Sequence, residues 1–209
     1  MAHLVLVRHG QSEWNALGLW TGQRDVELTE QGKKEARGAA EHLKGKGITL
    51  HKAHTSGLKR AQQTLEEIKK ALEAHELETV AHEHLNERDY GDYTAKNKWE
   101  IAEQLGEEEF TKLRRNWDHP VPGGETLKDV HARVIPYYEE YVLPDLKQGM
   151  NVIIAAHGNS LRALMKHLEE YEDEKVHELE IGTGQVLIYE VNENGDVMEK
   201  TVLSEGGKA

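Results

Sequence analysis

Two short unbroken apolar runs constrain this chain more than any other feature. Leu4-Val5-Leu6-Val7 lies near the start, and Val152-Ile153-Ile154-Ala155-Ala156, directly after Asn151, lies in the last third. Neither alternates apolar with polar residues, which is the pattern of a strand covered on both faces. Between them the apolar period is helical. Ala36, Ala39, Ala40 and Leu43 follow Thr29, with Gly45 and Gly47 as the stop, and Leu58, Ala61, Leu65, Ile68 and Leu72 follow Ser56 as the expected N-cap. Residues 52–55 read as a short strand. Helices are expected over 99–105 and 107–117, then, beyond the Pro-Gly loop at 120–124, from Thr126 to about Tyr141, stopped by Pro144. A helix over 160–168 follows the second apolar run. Two strand patterns, 186–191 and 197–203, flank Asn192-Glu193-Asn194-Gly195 and predict a hairpin.

Strands alternating with helices predict an α/β fold: a three-layer sandwich, its mostly parallel central sheet flanked by helices, with a C-terminal hairpin. The 209 residues suit a single domain over 1–209, with a flexible tail at 204–209. Such sheets bind ligands beyond the carboxyl ends of their strands. The residues that follow Val7 and Ala156 are therefore the first place to look for chemistry.

The net charge of −12, from 26 Lys+Arg against 38 Asp+Glu, argues against nucleic acid or an anionic membrane as partner. With no cysteine, the chain has no disulfide scaffold, no Cys-ligated metal and no thiol catalysis. The apolar runs are too short to span a bilayer, and Met1-Ala2-His3 leads into a strand without a signal-peptide pattern, so the cytoplasm is the expected compartment. The spaced pairs His51/His54 and His82/His84 lack a third ligand at a recognised spacing, so no metal is expected.

Both strands end in histidine followed by glycine: Val7-Arg8-His9-Gly10 and Ala156-His157-Gly158-Asn159. Glycine permits a tight turn and close backbone approach to a ligand. A neutral imidazole can attack phosphorus and carry the phosphoryl group, while a second one donates a hydrogen bond to the transferring oxygens.

The segment Val7-Arg8-His9-Gly10-Gln11-Ser12-Glu13-Trp14-Asn15 resembles the signature of the histidine phosphatase superfamily, and within it the cofactor-dependent phosphoglycerate mutases. The resemblance continues through Thr21-Gly22, Thr55-Ser56-Gly57-Leu58-Lys59-Arg60-Ala61, Leu85-Asn86-Glu87-Arg88-Asp89-Tyr90-Gly91, Asn97-Lys98, Arg114-Arg115 and Ala156-His157-Gly158-Asn159-Ser160-Leu161-Arg162-Ala163-Leu164. It implies that His9 is the phosphorylated nucleophile and that Arg8, Arg60, His157, Gly158 and Asn159 surround the transferring phosphoryl group. It implies that Glu87 moves the proton of the substrate hydroxyl. Arg88, Tyr90, Lys98, Arg114 and Arg115 would hold the outer phosphate or carboxylate, with Asn15, Thr21 and Gly22 nearby.

The activity implied is metal-free interconversion of 2- and 3-phosphoglycerate, primed by 2,3-bisphosphoglycerate, in a monomer or homodimer. The alternatives are hydrolysis of small phosphomonoesters at the same histidine and, from a different class, a non-catalytic phosphate-binding module. Arginine suits the implied role because its fork meets phosphate bidentately and stays charged. Clustered arginines also lower the pKa of His9 and keep it nucleophilic. Five of the nine arginines fall at these positions, so the cleft is expected to be positive within an acidic shell.

Several positions depart from the pattern. Asp89 brings an anion beside the outer cations, Gln23 replaces a tryptophan, and Lys96 an aliphatic residue. Ala95 replaces a glycine, which strains the turn if φ there is positive. The stretch 116–126 is shorter than in longer family members, and that loop helps to close the site.

Overall fold

The two apolar runs become neighbouring strands of one sheet. In the computed structural model, which describes residues 1–203, they form β1 (Ala2–Arg8) and β4 (Val152–Ala156). The remaining strands are β2 (Lys52–Thr55), β3 (Thr79–Ala81), β5 (Val186–Val191) and β6 (Val197–Val202). The helices are α1 (Glu13–Ala16), α2 (Glu30–Lys46), α3 (Lys59–Ala71), α4 (Lys98–Leu105), α5 (Glu107–Arg115), α6 (Leu127–Tyr137), α7 (Leu143–Lys147) and α8 (Gly158–Leu168). The tail expected to be flexible, 204–209, lies outside the described residues.

The strand order is β3-β2-β4-β1-β5-β6. Strands β1 to β4 run parallel, and β5 is antiparallel to both β1 and β6. The mostly parallel sheet and the terminal hairpin are thus as expected. The pairing of β1 with β4 runs from Leu4↔Val152 to Arg8↔Ala156, so both strands end at one level. The His9 N–H donates to the Ala156 carbonyl at 2.9 Å, extending the ladder one step further. His9 and His157 therefore leave the sheet side by side.

Alternation along the strands makes the layers. Leu4, Leu6, Val152, Ile154, Leu187 and Tyr189 face a core shared with α6 and α8. Val5, Val7, Ala53, Ile153, Ala155 and Ile188 face a core shared with α2 and α3. A smaller cluster of Trp20, Tyr90, Ile101, Phe110, Leu113 and Val121 packs α4 and α5 beyond the sheet.

Local signals explain most boundaries. The Thr29 side chain caps α2 by accepting from the Gly32 N–H, and Gly47 ends the helix at φ 66°. Gly45 stays helical. Ser56 is not the N-cap of α3: Leu58 is, without a side-chain bond, and the Ser56 hydroxyl accepts from the Leu58 N–H at 3.1 Å and pairs with His157. Nor does Pro144 stop the helix that begins after Thr126. The chain passes from α6 through a π segment, Tyr138–Val142, into α7, where proline occupies the first turn and needs no N–H.

Ala95 has φ 69°, the left-handed region in which an L side chain is strained. Its N–H donates to the Trp20 carbonyl at 2.9 Å, so the turn is fixed from outside. Ala95→Gly should relieve this strain and raise stability by about 0.5–1 kcal/mol. Urea unfolding measures it; an unchanged or lower midpoint would contradict the assignment of strain.

Candidate active site

Beyond the ends of β1 and β4 lies a cavity of about 610 Å3. His9 is 3% exposed on its floor. Its Nδ1 lies 2.7 Å from the Gly10 carbonyl, which makes Nδ1 the protonated nitrogen and Nε2 the one that carries the lone pair. Arg60, in the first turn of α3, donates from Nε to His9 Nε2 at 3.3 Å. The rest of its guanidinium is fixed by the Arg24 and Gly22 carbonyls at 2.8 Å each. The loop that carries His9 is pressed against α2: a Cβ on Gly10 would collide with the Gly32 carbonyl, and one on Gly32 with the Gln11 carbonyl. The Gly10 N–H is held by Thr64 Oγ1 of α3 at 3.1 Å.

His157 is fully buried and meets the His9 ring edge-on, with centroids 5.0 Å apart. Its Nε2 pairs with Ser56 Oγ at 2.7 Å, and its Nδ1 has no partner among the described residues. Both imidazoles have pKa values well below the ordinary histidine value. Burial is the larger cause and Arg60 the next, so the arginines expected to neutralise His9 act second to desolvation.

Glu87 also reaches the cavity. Its Oε1 accepts from the Arg88 N–H at 2.7 Å and from the backbone and side-chain N–H groups of Asn159, each at 3.1 Å. Asn159 and Gly158 open α8 and line the cavity beside Arg8. Across from them stand Asn15, Thr21, Gly22, Tyr90, Lys98, Arg114 and Arg115. Lys98 is pushed down to about 8 by burial and then by Arg114 and Arg8, with Glu87 opposing. Six cations and two carboxylates line the space, so its sign is opposite to that of the whole chain.

Two expected positions lie elsewhere. His157 backs His9 rather than bordering the cavity. Arg88 is fully buried behind Tyr90, 4.5 Å from its ring centre, and donates to the Leu113 carbonyl at 2.8 Å. It is drawn there by the last turn of α5, whose free carbonyls favour a cation. Asp89 likewise turns away from the cations and accepts from the Gly91 N–H at 2.8 Å.

The cavity also holds Trp20, Arg162, Glu180, Ile181, Gly182 and Gln185, to which the sequence reading gave no role. Arg162 lay inside a recognised motif. It donates to the Arg115 carbonyl at 2.9 Å and to Asn159 Oδ1 at 3.1 Å. Buried arginines thus cap α5, and the capped helix presents Arg114 and Arg115.

The buried histidines also set a pH dependence. His9, His54 and His157 all titrate below 6.5 when folded, His54 at about 4. The unfolded chain therefore binds these protons first as pH falls, so their contribution is whole above about pH 6.5 and declines below it. Urea midpoints should drop between pH 7.5 and 4.5, before most carboxylates titrate; a flat profile there would contradict it.

Adjacent buried imidazoles ringed by guanidinium groups at the carboxyl edge of a parallel sheet define a phosphoryl-handling α/β protein, and the chain belongs to the histidine phosphatase superfamily (branch 1), whose model matches residues 4–203. Among its relatives is the 2,3-bisphosphoglycerate-dependent phosphoglycerate mutase of Parvibaculum lavamentivorans, 48% identical over 97% of this chain and 96% of that protein. The protein of that name from Mesorhizobium japonicum is 48% identical over 96% and 97%. Among solved structures, a mycobacterial glucosyl-3-phosphoglycerate phosphatase covers the whole of both chains with a TM-score of 0.82 at 24% identity, which shows the shared fold.

Proposed function

We propose that this chain interconverts 2- and 3-phosphoglycerate through a phosphohistidine on His9, without a metal. One observation carries the reading: a single cavity is lined by the buried His9, with Arg60 at its Nε2, and by five further cations, Arg8, Lys98, Arg114, Arg115 and Arg162. A small acid that carries more than one anionic group matches that excess of positive charge. Relatives of nearly the same length bear the mutase name.

The residues fit a bisphosphorylated acid as priming donor. Among the described residues, the buried Arg8 Nε and Thr21 Oγ1 have no partner, and both residues line the cavity. 2,3-Bisphosphoglycerate, when bound, supplies the phosphoryl group that charges His9.

The chain's own residues divide the work as follows. The Gly10 carbonyl fixes the His9 tautomer, so Nε2 is the attacking atom. Arg8 and Arg60 stabilise the charge spread over the equatorial oxygens in flight, and His157, edge-on to the His9 ring, holds that ring in place. As the N–P bond forms, the ester O–P bond breaks and Glu87 gives its proton to the leaving oxygen; in the reverse step it takes the proton back. The outer cations keep the bisphosphorylated acid from escaping while it turns round.

The test is incubation with 3-phosphoglycerate in EDTA, with and without 2,3-bisphosphoglycerate, measuring 2-phosphoglycerate and free phosphate. Isomerisation that depends on the bisphosphate is expected. Free phosphate as the main product would make the chain a phosphatase instead, and no turnover a phosphate-binding module.

A further inference from the structure

One carboxylate stands among the cations at the outer end of the cavity. Glu180 Oε1 accepts a hydrogen bond from Arg115 Nη2 at 2.9 Å, and both residues line the cavity with Arg114 and Arg8. The Glu180 side chain is 69% exposed against 24% for Arg115, so the carboxylate leans in from the rim. Its backbone is nevertheless fixed on both sides. The Leu179 carbonyl accepts from Arg162 Nε at 2.9 Å and the Ile181 carbonyl from Arg8 Nη1 at 2.8 Å. The bond to Arg115 lowers the Glu180 pKa below the ordinary carboxylate value, with Arg115, Arg114 and Arg8 adding their charge, so the group is an anion at neutral pH.

We propose that Glu180 is a specificity-determining residue: a resident carboxylate that occupies Arg115 in the empty cavity and competes with the second anionic group of any ligand. The proposal rests on the reading of Lys98, Arg114 and Arg115 as the seat of that second anion. A ligand carboxylate arriving there exchanges one arginine–carboxylate pair for another and gains little at Arg115. It also meets the displaced negative charge at the rim. A ligand without a second anion leaves the pair intact and feels neither effect. Glu180 therefore sets how strongly the outer end of the cavity prefers phosphomonoesters that carry a further acid group. An exposed pair is weak and salt-sensitive, so the competition is a several-fold effect.

The experiment is titration calorimetry of the wild type and Glu180→Gln with 3-phosphoglycerate and with inorganic phosphate. Glutamine keeps the shape and an acceptor but removes the charge. Competition predicts that the Kd for 3-phosphoglycerate falls about 3- to 10-fold while that for inorganic phosphate changes less than about 2-fold, and that the gain shrinks in high salt. If Glu180 instead props Arg115 in place, the variant binds 3-phosphoglycerate more weakly; that result, or an unchanged Kd, overturns the proposal. A wild type that binds 3-phosphoglycerate no tighter than inorganic phosphate overturns the reading of the outer cations, and the role of Glu180 with it. The ratio of the two wild-type constants therefore separates the failures.

Discussion

Replacing His9 with alanine is expected to lower turnover of phosphoglycerate by at least about 10⁴-fold and to abolish acid-labile phosphoryl labelling of the protein. The expectation follows from a division of labour in which no other group can substitute. Among the described residues, His9 Nε2 is the imidazole nitrogen that combines a fixed tautomer with a bond from the Arg60 guanidinium. His157 spends Nε2 on Ser56 Oγ and sits behind the His9 ring, without a place on the cavity wall. The variant should fold, because the backbone N–H of residue 9 still pairs with the Ala156 carbonyl and the Arg60 guanidinium keeps its two carbonyl partners. Thermal unfolding of the variant checks this. Labelling that survives in His9→Ala would move the phosphoryl carrier to another residue.

The second large effect belongs to Glu87. Its Oε1 is engaged by three N–H groups, which fix the carboxyl plane and leave Oε2 as the oxygen able to exchange a proton with substrate. In Glu87→Gln the amide oxygen can take the place of Oε1 and keep all three bonds, so the fold should hold while the acid is lost. Turnover of 3-phosphoglycerate is expected to fall about 10²- to 10⁴-fold, the usual worth of a positioned general acid or base. The signature is dependence on the leaving group. An aryl phosphate such as 4-nitrophenyl phosphate expels a stable phenolate and needs no proton, so its cleavage should suffer far less than that of the alkyl ester. Equal losses on both substrates would remove Glu87 from proton transfer and leave it a structural anchor for Asn159.

What the chain disclosed in advance depended on how local the cause was. The strands β1 and β4 were legible because burial on both faces demands unbroken apolar residues, and α2 because Thr29 and Gly47 carry their own capping chemistry. The edge strand β3 was missed because its three residues are largely solvated and show no apolar pattern. Ser56 looked like an N-cap, but its hydroxyl accepts from the Leu58 N–H just ahead of the helix and pairs with His157 from a distant part of the chain. The wide turn over Tyr138–Val142 lies between Pro136 and Pro144, prolines that mark a disturbed helix without specifying its form.

The site divides along the same line. Residues at strand ends and helix starts, such as His9, Arg60 and Asn159, take their direction from the element and line the cavity. Arg88 was expected there too, but long cations go to whichever carbonyls are free, and those at the end of α5 belong to tertiary structure. Glu180, on the segment just before β5, carried no motif at all, and only the folded chain brings it to Arg115. Ala95 is the opposite case: a missing glycine raised the question of a positive φ, and the backbone has one.

The contact between Gly10 and Gly32 has a consequence for anyone who maps this protein by mutation. A side chain at position 32 cannot be accommodated without moving the loop that carries His9, since the obstacles on both sides are backbone rather than flexible side chains. A scan scored by activity would therefore rank Gly32 with the reacting residues, whereas one scored by nearness to ligand would pass it over. Disagreement between two such scans at a glycine on a helix remote in sequence is how this fold would announce that its chemistry is held in register by bare backbone.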